Sequence, residues 1–482
     1  MAKEDFSHFY IQKIRFKFIN MDKSSIIICT LVFYKLFLIF VGWSTRKKNK
    51  TIEDYFVGGK RLGPIITSIS YSASNSSAWT LLGVSGIAFS QGVSTLWLVL
   101  GVVGGMFISW LKVAPSIHEI TKNKKLITIP QLIADGYHGS ERRNILMASS
   151  FIIIFSFTFY IASQFQGAGN ALNDTFGLSI FESIFLSAIV IYIYTYLGGY
   201  LAVSITDTIQ GFLMAFTALV MPLMAISKIG GFAGLFEKFS TASGDFLSFS
   251  AGNIGLSALG LKVGHLGIGI GYFGQPHLLS RFISVKDLKT LEKSRNYALI
   301  WFCIVFTGMW LLGIAGHFMI TDLSNNENIF FRISDEIFHP VIQGVLLAAV
   351  ISAIMSTADS QILVCSSSIS IDLEIQSNSL KVSRIVTGAV ILSSALIAVI
   401  IPDKIFTRVL FAWTAIGSAF GPSVISKILR WNVSASSVLS SILIGFVLAV
   451  LFFLLPNTPG DWLERVIPFM FSLCYLYLTK KN

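Results

Sequence analysis

Long apolar runs separated by short polar loops make up most of the chain after residue 24. A helix needs about 20 apolar residues to cross the hydrocarbon core of a bilayer, and about thirteen runs approach that length. They lie at 25–44, 64–89, 93–116, 145–172, 179–197, 203–227, 254–275, 297–321, 339–371, 385–401, 405–427, 435–455 and 462–479. The pattern predicts an all-α polytopic membrane protein with about 13 transmembrane helices.

The composition fits a chain that uses the bilayer as its solvent. Of 482 residues, 54% are hydrophobic and only 13% are charged, a balance that a single soluble core of this size does not accommodate. The formal net charge of +11 raises nucleic-acid binding as an alternative. The basic residues, however, lie in short loops between apolar runs, as the positive-inside rule describes. We therefore expect the lipid bilayer, and not nucleic acid, as the partner of this charge.

The distribution of Lys and Arg predicts the orientation of the chain. If the first run crosses from outside to inside, the cytoplasmic loops hold most of the basic residues, chiefly at 46–61, 112–143 and 281–295. The sequence thus predicts an outside N-terminus and a cytoplasmic C-terminus in a bacterial inner membrane. The basic residues before the first run do not fit this scheme. Residues 1–24 are therefore interpreted as an N-terminal extension, with Met21 as an alternative start.

Two of the apolar runs are interrupted by small and polar residues. Residues 69–79 of the second run are rich in Ser, and residues 353–361 of the ninth contain Ser356, Thr357 and Asp359. An ionisable side chain near the bilayer centre costs about 2.5–3.5 kcal/mol on insertion scales, so such segments line a polar cavity or a helix break. Two of them in an even alternation of spans indicate an inverted-repeat transporter, whose site forms where discontinuous helices meet at the midplane.

The two interruptions carry the oxygen atoms that a sodium ion requires. Sodium is a hard cation that binds carbonyl and hydroxyl oxygens. Ala353, Ser356 and Thr357 stand at positions i, i+3 and i+4, so they share one helix face. Carbonyls released between Ala73 and Ser76 could complete the cage. The alternative is that these hydroxyls only hold helices together, but two such clusters in one chain favour a cation site.

Four segments carry motifs in a fixed order, at 54–63, 197–208, 271–277 followed by Arg281, and 355–365. In these motifs the chain resembles the sodium/solute symporter family, most closely its sodium/proline branch. The resemblance implies a LeuT-type five-plus-five inverted repeat with flanking helices. It divides the chain into an N-terminal extension (1–24), a flanking first helix (25–44), a first inverted repeat (64–227), a second inverted repeat (254–427) and C-terminal flanking helices (435–482).

The resemblance also implies roles for individual residues. It places sodium on the backbone oxygens of Ala73, Ser76 and Ala353 and the hydroxyls of Ser356 and Thr357. It places the substrate beside the break in the second run and two tyrosines, at Asn75, Ser77, Ala78, Tyr160 and Tyr272. It links Asp207, an acidic residue, to ion coupling. With Asp359 and Ser360 on the facing helix, Asp207 would form a second cation position. Sodium is then a co-transported ligand, and no cofactor is expected.

Two departures from the proline branch bear on the substrate. That branch has Asp where this chain has Asn75, and it has Trp where this chain has Ile268, one turn before Tyr272. An aromatic wall suited to a pyrrolidine ring is therefore expected to be missing. Sodium-coupled uptake of proline remains the leading interpretation. The alternatives are symport of another amino acid, a monocarboxylate, a pantothenate-like acid or a sugar, and a sensory membrane protein built on the same helices.

Other conspicuous side chains are given structural interpretations. His277 and Arg281 close the seventh run at its cytoplasmic end and are expected to cap the helix or anchor it at the interface. Trp79, Trp97 and Trp413 are expected to act as packing or interface aromatics and not to stack on a ligand. A membrane enzyme would need a His, Asp and Glu constellation at one membrane face, and the sequence offers only scattered single residues. We therefore expect no enzymatic activity.

Overall fold

The computed structural model describes residues 23–48, 50–373, 379–401, 405–456 and 458–481. Within these residues the chain is helical, and the one pairing of extended backbone is an isolated bridge between Leu62 and Val285. The predicted all-α class is confirmed. The predicted N-terminal extension, residues 1–24, lies outside the described residues except for its last two positions.

The described residues contain twenty α-helices, numbered here in chain order. The first half of the chain contains α1 Lys23–Thr45, α2 Ile52–Val57, α3 Pro64–Asn75, α4 Val84–Gln91, α5 Leu96–Ile108, α6 Ala114–Asn123, α7 Ile129–Ile133, α8 Gly139–Phe176, α9 Ile180–Lys228, α10 Gly231–Thr241 and α11 Gly244–Leu247. The second half contains α12 Gly255–Gly267, α13 Pro276–Ser284, α14 Leu288–His317, α15 Ile329–Ile337, α16 Pro340–Ser367, α17 Leu380–Ile400, α18 Ile405–Ile428, α19 Ala435–Phe453 and α20 Trp462–Leu478.

Ten helical segments among the described residues are long and apolar enough to cross a membrane. One of them, α9, has 49 residues, a length of about 74 Å at 1.5 Å per residue, which exceeds one crossing of a 30 Å core. Gly199 breaks this helix with a φ of 53° and a ψ of −151°. A Cβ atom at Gly199 would lie 2.7 Å from Cδ2 of Tyr55. The two parts of α9 correspond to two predicted runs, and the count of about thirteen spans stays a prediction.

Burial separates the inner helices from the peripheral ones. In their most apolar windows, 83% of the α16 residues and 89% of the α18 residues are buried inside the protein, against 28% for α1 and 33% for α19. In a membrane protein the exposed apolar faces of peripheral helices contact lipid. The polar residues that interrupt α16 therefore lie in the interior, where other protein groups can hydrogen-bond to them.

Two membrane-embedded segments are discontinuous. Helix α3 ends at Asn75, and Ser76 has a non-helical φ of −96° and ψ of 82° before a π-helical turn leads into α4. Helix α12 passes into a 3-10 turn at Ile268–Phe273, and Pro276 then begins α13. Proline has no N–H to donate and fits the first turn of a helix. Each break frees backbone carbonyls at the centre of the molecule.

At its glycines, the second break contacts α18 backbone against backbone. A Cβ atom at Gly417 would lie 2.8 Å from Cα of Gly271, and one at Gly274 would lie 2.7 Å from the Gly417 carbonyl oxygen. Real Cβ atoms do not approach neighbours so closely, so a larger residue at either position would force the two elements apart. Glycine thus sets the distance between the broken segment and α18.

Candidate functional site

The two hydroxyl-rich interruptions meet in the interior. Ser356 Oγ on α16 donates to the Ala73 carbonyl at the end of α3, across 3.0 Å. The hydroxyls of Ser356 and Thr357 also donate to the Ala353 carbonyl, at 3.2 and 3.1 Å. All of these residues are fully buried. Oxygen atoms of four of the five residues expected to bind sodium therefore lie within hydrogen-bond distance of one another.

The break after Asn75 explains why the Ala73 carbonyl faces α16. The backbone N–H of Ser76 turns back to the carbonyls of Ala73 and Ser72, at 3.0 and 3.2 Å, which ends the helix and leaves later carbonyls without partners from the next turn. The Ser76 hydroxyl is buried and has no hydrogen-bond partner among the described residues. Carbonyls and hydroxyls keep lone pairs available, so this donor set fits a hard monovalent cation rather than a transition metal.

A small cavity lies beside this cluster. It encloses about 10 Å³, and its walls come from the two breaks, α8 and α18. The lining residues are Asn75, Trp79, Tyr160, Ile268, Tyr272, Val409, Leu410 and Trp413. This volume has room for about one water molecule, so a solute must displace the surrounding side chains. Mostly apolar walls with a few polar groups are typical of a small-molecule site.

The structure brings three of the five expected substrate residues to this cavity. Asn75, Tyr160 and Tyr272 line it, and the Asn75 side-chain amide nitrogen has no hydrogen-bond partner among the described residues. The other two, Ser77 and Ala78, are not among the residues that line the cavity. Ser77 Oγ accepts from the Trp79 backbone N–H at 3.2 Å and contacts the Tyr160 hydroxyl. These two residues fix the geometry of the break and are not in the cavity lining.

One buried amide on α8 was missed by the sequence reasoning. Gln164 Oε1 accepts from the Ala78 backbone N–H at 3.4 Å, and Gln164 Nε2 donates to Ser163 at 3.3 Å. The side chain is fully buried. The side-chain oxygen of Gln164 accepts a hydrogen bond from a backbone N–H that the interruption of the second run would otherwise leave unpaired. The sequence signal that could have identified Gln164 is a polar amide side chain inside the apolar run 145–172.

Trp413 packs against the second break and, like Trp79, also lines the cavity. As expected of a packing aromatic, it packs edge-on against Tyr272, with ring centroids 4.9 Å apart. Its indole N–H donates to the Ile268 carbonyl at 3.0 Å, and its own carbonyl accepts from Gln275 Nε2 at 2.8 Å. The aromatic wall expected to be missing at Ile268 is thus supplied by α18.

A buried ion pair lies one helix turn from the hydroxyl cluster. Arg281 Nη2 is 2.8 Å from Asp207 Oδ2, and neither side chain is exposed. The hydroxyls of Ser70 and Ser74 donate to the same oxygen at 2.8 and 3.0 Å. The expected role of Arg281 and His277 as interface anchors is therefore wrong. Every residue of α13 is buried, so the guanidinium cannot reach the interface and is neutralised inside the protein.

The same network contains the other two residues that were linked to ion coupling. Arg281 Nη2 also donates to the hydroxyls of Ser74 and Ser360, both at 2.6 Å. Asp359 accepts from the Tyr194 hydroxyl at 2.7 Å and from Ser360 at 3.2 Å. Asp207, Asp359 and Ser360 are thus brought together, and a guanidinium nitrogen occupies the space among Asp207, Ser74 and Ser360. The guanidinium pairs with Asp207 directly and is linked to Asp359 through the Ser360 hydroxyl.

Comparison with known proteins places this geometry in context. The model of the sodium:solute symporter family matches residues 55–445. The chain is 32% identical to the osmoregulated proline transporter OpuE of Bacillus subtilis, over 92% of both chains. It is 30% identical to the sodium/proline symporter of Escherichia coli, over 86% of this chain and 85% of that one.

Solved structures establish the fold. A sodium-coupled sialic acid symporter in a substrate-bound, outward-open state aligns with 95% of this chain and 98% of its own, with a TM-score of 0.79 at 19% identity. A nucleobase-cation-symport-1 family transporter in a closed conformation covers 88% of this chain and 94% of its own, with a TM-score of 0.57 at 11% identity. The expected LeuT-type helical arrangement is confirmed.

Proposed function

The chain belongs to the sodium:solute symporter family, and from this premise we propose that it couples the inward movement of sodium to the uptake of proline. It is a multi-pass membrane transporter and not an enzyme. The observation that carries the proposal is the contact between Ser356 on α16 and the Ala73 carbonyl at the break after α3. That contact gathers oxygen atoms suited to a cation beside the small cavity, which the surrounding side chains must enlarge before it can hold a solute.

We assign the sodium site and the solute site to neighbouring groups. Sodium binds backbone oxygens and hydroxyls at Ala73, Ser76, Ala353, Ser356 and Thr357. The solute binds in the cavity, where it contacts Asn75, Tyr160 and Tyr272. Ser77 and Ala78 belong to the same site and support the cavity wall. The repeats that create this arrangement are 64–227 and 254–427, in a bacterial inner membrane with the N-terminus outside and the C-terminus in the cytoplasm.

Proline suits the chemistry of the cavity. Trp413 and Tyr272 form an edge-on aromatic corner, which offers apolar faces to a compact pyrrolidine ring. The unpaired amide nitrogen of Asn75 can donate to the solute carboxylate. The named relatives in Bacillus subtilis and Escherichia coli are proline transporters.

Sodium and solute binding are coupled through the break after α3. Sodium in the cage fixes the backbone on one side of Asn75, and the solute contacts Asn75 itself. Each ligand therefore favours the backbone arrangement that the other requires, and the coupling is reciprocal, typically 1–3 kcal/mol or about 5–150-fold in affinity. With both bound, the bundle of α3–α4, α5–α6, α12–α13 and α14 rocks against the remaining helices and opens the site inward.

Asp207, Asp359 and Ser360 take part in ion coupling through Arg281. The guanidinium lies within 2.6–2.8 Å of Ser74, Ser360 and Asp207, at the position where a second cation was considered. We propose that Arg281 serves there as a permanent cation. It links α3, α9, α13 and α16, so a change at the sodium cage reaches all of these helices.

Uptake into vesicles tests the proposed function. We expect reconstituted protein to accumulate labelled proline under an inward sodium gradient and not under an equal potassium gradient. Excess unlabelled proline should compete, whereas other amino acids, small monocarboxylates, pantothenate and sugars should compete weakly. Sodium-driven uptake that is suppressed by one of these competitors, and not by proline, would assign the same mechanism to a different solute. Absence of sodium stimulation would contradict the coupling itself.

Trp413 provides a separate test of the cavity. Trp413→Leu is expected to raise the KM for proline about 2- to 12-fold, because an aromatic contact contributes about 0.5–1.5 kcal/mol beyond the apolar area it buries. The sodium activation curve at saturating proline should change little, since Trp413 does not contact the cage. Trp97→Leu is the control, because the Trp97 indole donates to the Phe249 carbonyl far from the cavity. Equal KM values in the two variants would remove Trp413 from the solute site.

A further inference from the structure

An apolar groove opens on the outer surface of the helix bundle, between the first part of α9 and α17. Its volume is about 290 Å³, and it is lined by Phe185, Ala188, Ile189, Tyr192, Gly388, Ile391, Leu392 and Ala395. Ile189 and Leu392 at its rim are each 54% exposed. Gly388 keeps the groove open, because a Cβ atom there would lie 3.1 Å from the Tyr192 ring. The groove is separate from the sodium and solute sites.

The groove lies at the depth of lipid acyl chains. Helix α17 begins at Leu380, so Gly388 and Ala395 lie about 12 and 22 Å along the helix axis from its start at 1.5 Å per residue. Arg384 lies only about 6 Å along the axis, near the polar interface of a 30 Å hydrocarbon core. A charged side chain thus stands at the interfacial end of an apolar groove.

Arg384 has no anionic partner among the described residues. Its guanidinium lies over the rings of Tyr196 and Tyr55, 5.1 and 5.9 Å from their centroids. Its Nε atom is buried and makes no hydrogen bond within the part of the chain that the structure describes. Lys381 stands three residues earlier on the same helix and is exposed, so a second positive charge faces the same side. Within the described part of the chain, the aromatic rings orient this positive charge and no carboxylate neutralises it.

We propose that this groove is a binding site for an anionic phospholipid, with the phosphate on Arg384 and one acyl chain in the groove. A guanidinium binds phosphate through two parallel hydrogen bonds. Basic pockets between transmembrane helices recognise acidic headgroups in the same way. The apolar walls alone would accept an acyl chain of any phospholipid, so the preference for an acidic headgroup comes from Arg384 and Lys381. In the proposed orientation the lipid belongs to the cytoplasmic leaflet.

The bound lipid would connect two parts of the transporter. Helix α9 carries Asp207 of the buried ion pair, and Tyr55, which lies under Arg384, contacts the Thr195 carbonyl at 3.5 Å. A lipid that fills the groove therefore stabilises the packing of α17 against the first part of α9. The proposal concerns binding and stands independently of the identity of the transported solute.

Lipid binding can be counted by native mass spectrometry of the full chain, delipidated in detergent and titrated with phosphatidylglycerol or phosphatidylcholine. We expect the wild-type protein to retain one phosphatidylglycerol at least about tenfold more tightly than phosphatidylcholine. Arg384→Gln should lose this preference while still accepting either lipid. Leu392→Trp, which fills the groove from its exposed rim, should reduce the retention of both.

Two matched controls separate the groove from general surface effects. Lys289→Gln removes an exposed positive charge at the start of α14, and Leu396→Trp adds a large ring to α17 outside the groove lining. Both should bind phosphatidylglycerol as the wild type does. An undiminished phosphatidylglycerol preference in Arg384→Gln would overturn the headgroup assignment, and unaltered retention in Leu392→Trp would overturn the groove. Thermal unfolding in detergent verifies that each variant is folded.

Discussion

Replacing Ser356 and Thr357 together with alanine is expected to abolish sodium-stimulated uptake while the protein still folds and inserts. Both hydroxyls lie on the face of α16 that meets the break after α3, and Ser356 Oγ is 3.0 Å from the Ala73 carbonyl oxygen. A polar contact to a charged group contributes about 1.5–3 kcal/mol, so losing two weakens sodium binding roughly 100-fold or more. The measurement is the initial rate of labelled proline uptake into vesicles across a range of sodium concentrations.

Ser366→Ala is the matched control for the double variant. Ser366 lies on the same helix, but its hydroxyl donates to the Ile362 carbonyl one turn earlier, at 2.7 Å, and does not reach the cage. The control should retain the wild-type sodium activation curve. An unchanged sodium dependence in the double variant would show that α16 does not hold the ion. Gel filtration of the purified protein distinguishes loss of binding from loss of folding.

Arg281→Gln should destabilise the protein strongly, and adding Asp207→Asn should recover part of the loss. Both side chains are fully buried and lie 2.8 Å apart. Removing one partner of a buried pair leaves an uncompensated charge and costs about 3–5 kcal/mol, whereas removing both charges avoids much of that penalty. Asp359 keeps the hydrogen bonds from Tyr194 and Ser360 in the double variant. The measurement is thermal unfolding of all three proteins in the same detergent.

Transport adds a second readout for this pair. Both the single and the double variant should lose most sodium-stimulated uptake, because the network that connects α3, α9, α13 and α16 is gone even where stability returns. Lys124→Gln is the control, since Lys124 pairs with Asp135 at the surface, at 2.5 Å, and exposed pairs contribute about 0–1 kcal/mol. Identical unfolding temperatures for the single and double variants would mean that the two charges do not stabilise each other.

Much of the membrane architecture could be predicted from the sequence because hydropathy is a local property. A run of apolar residues needs no knowledge of its neighbours to be recognised as a span. The interruption containing Ser356 was equally visible, since small and polar residues are costly wherever they face lipid. The i, i+3 and i+4 spacing of Ala353, Ser356 and Thr357 then required only helix geometry to place them on one face.

The positions and contacts of Arg281 and Trp413 in the folded protein could not be predicted, because they depend on packing between segments that are distant in the sequence. Arg281 ends a predicted span, where interface anchoring is the usual role, and only the burial of the whole of α13 reverses that expectation. Trp413 meets Ile268, 145 residues away along the chain. No periodicity in either run encodes that contact. The missing aromatic wall was inferred from one position, whereas a wall can be built from any helix that lines the cavity.

The glycine contact between the broken segment and α18 has a mechanical consequence. Helices that interlock through side-chain ridges and grooves resist shear, because sliding forces side chains out of their preferred rotamers. Gly274 and Gly417 present main chain to main chain, so no side chain has to change its rotamer at that point when the two elements slide. The restraint on sliding is then concentrated at Trp413, whose indole N–H donates to the Ile268 carbonyl and whose carbonyl accepts from Gln275, so movement of the broken segment along α18 has to break these contacts.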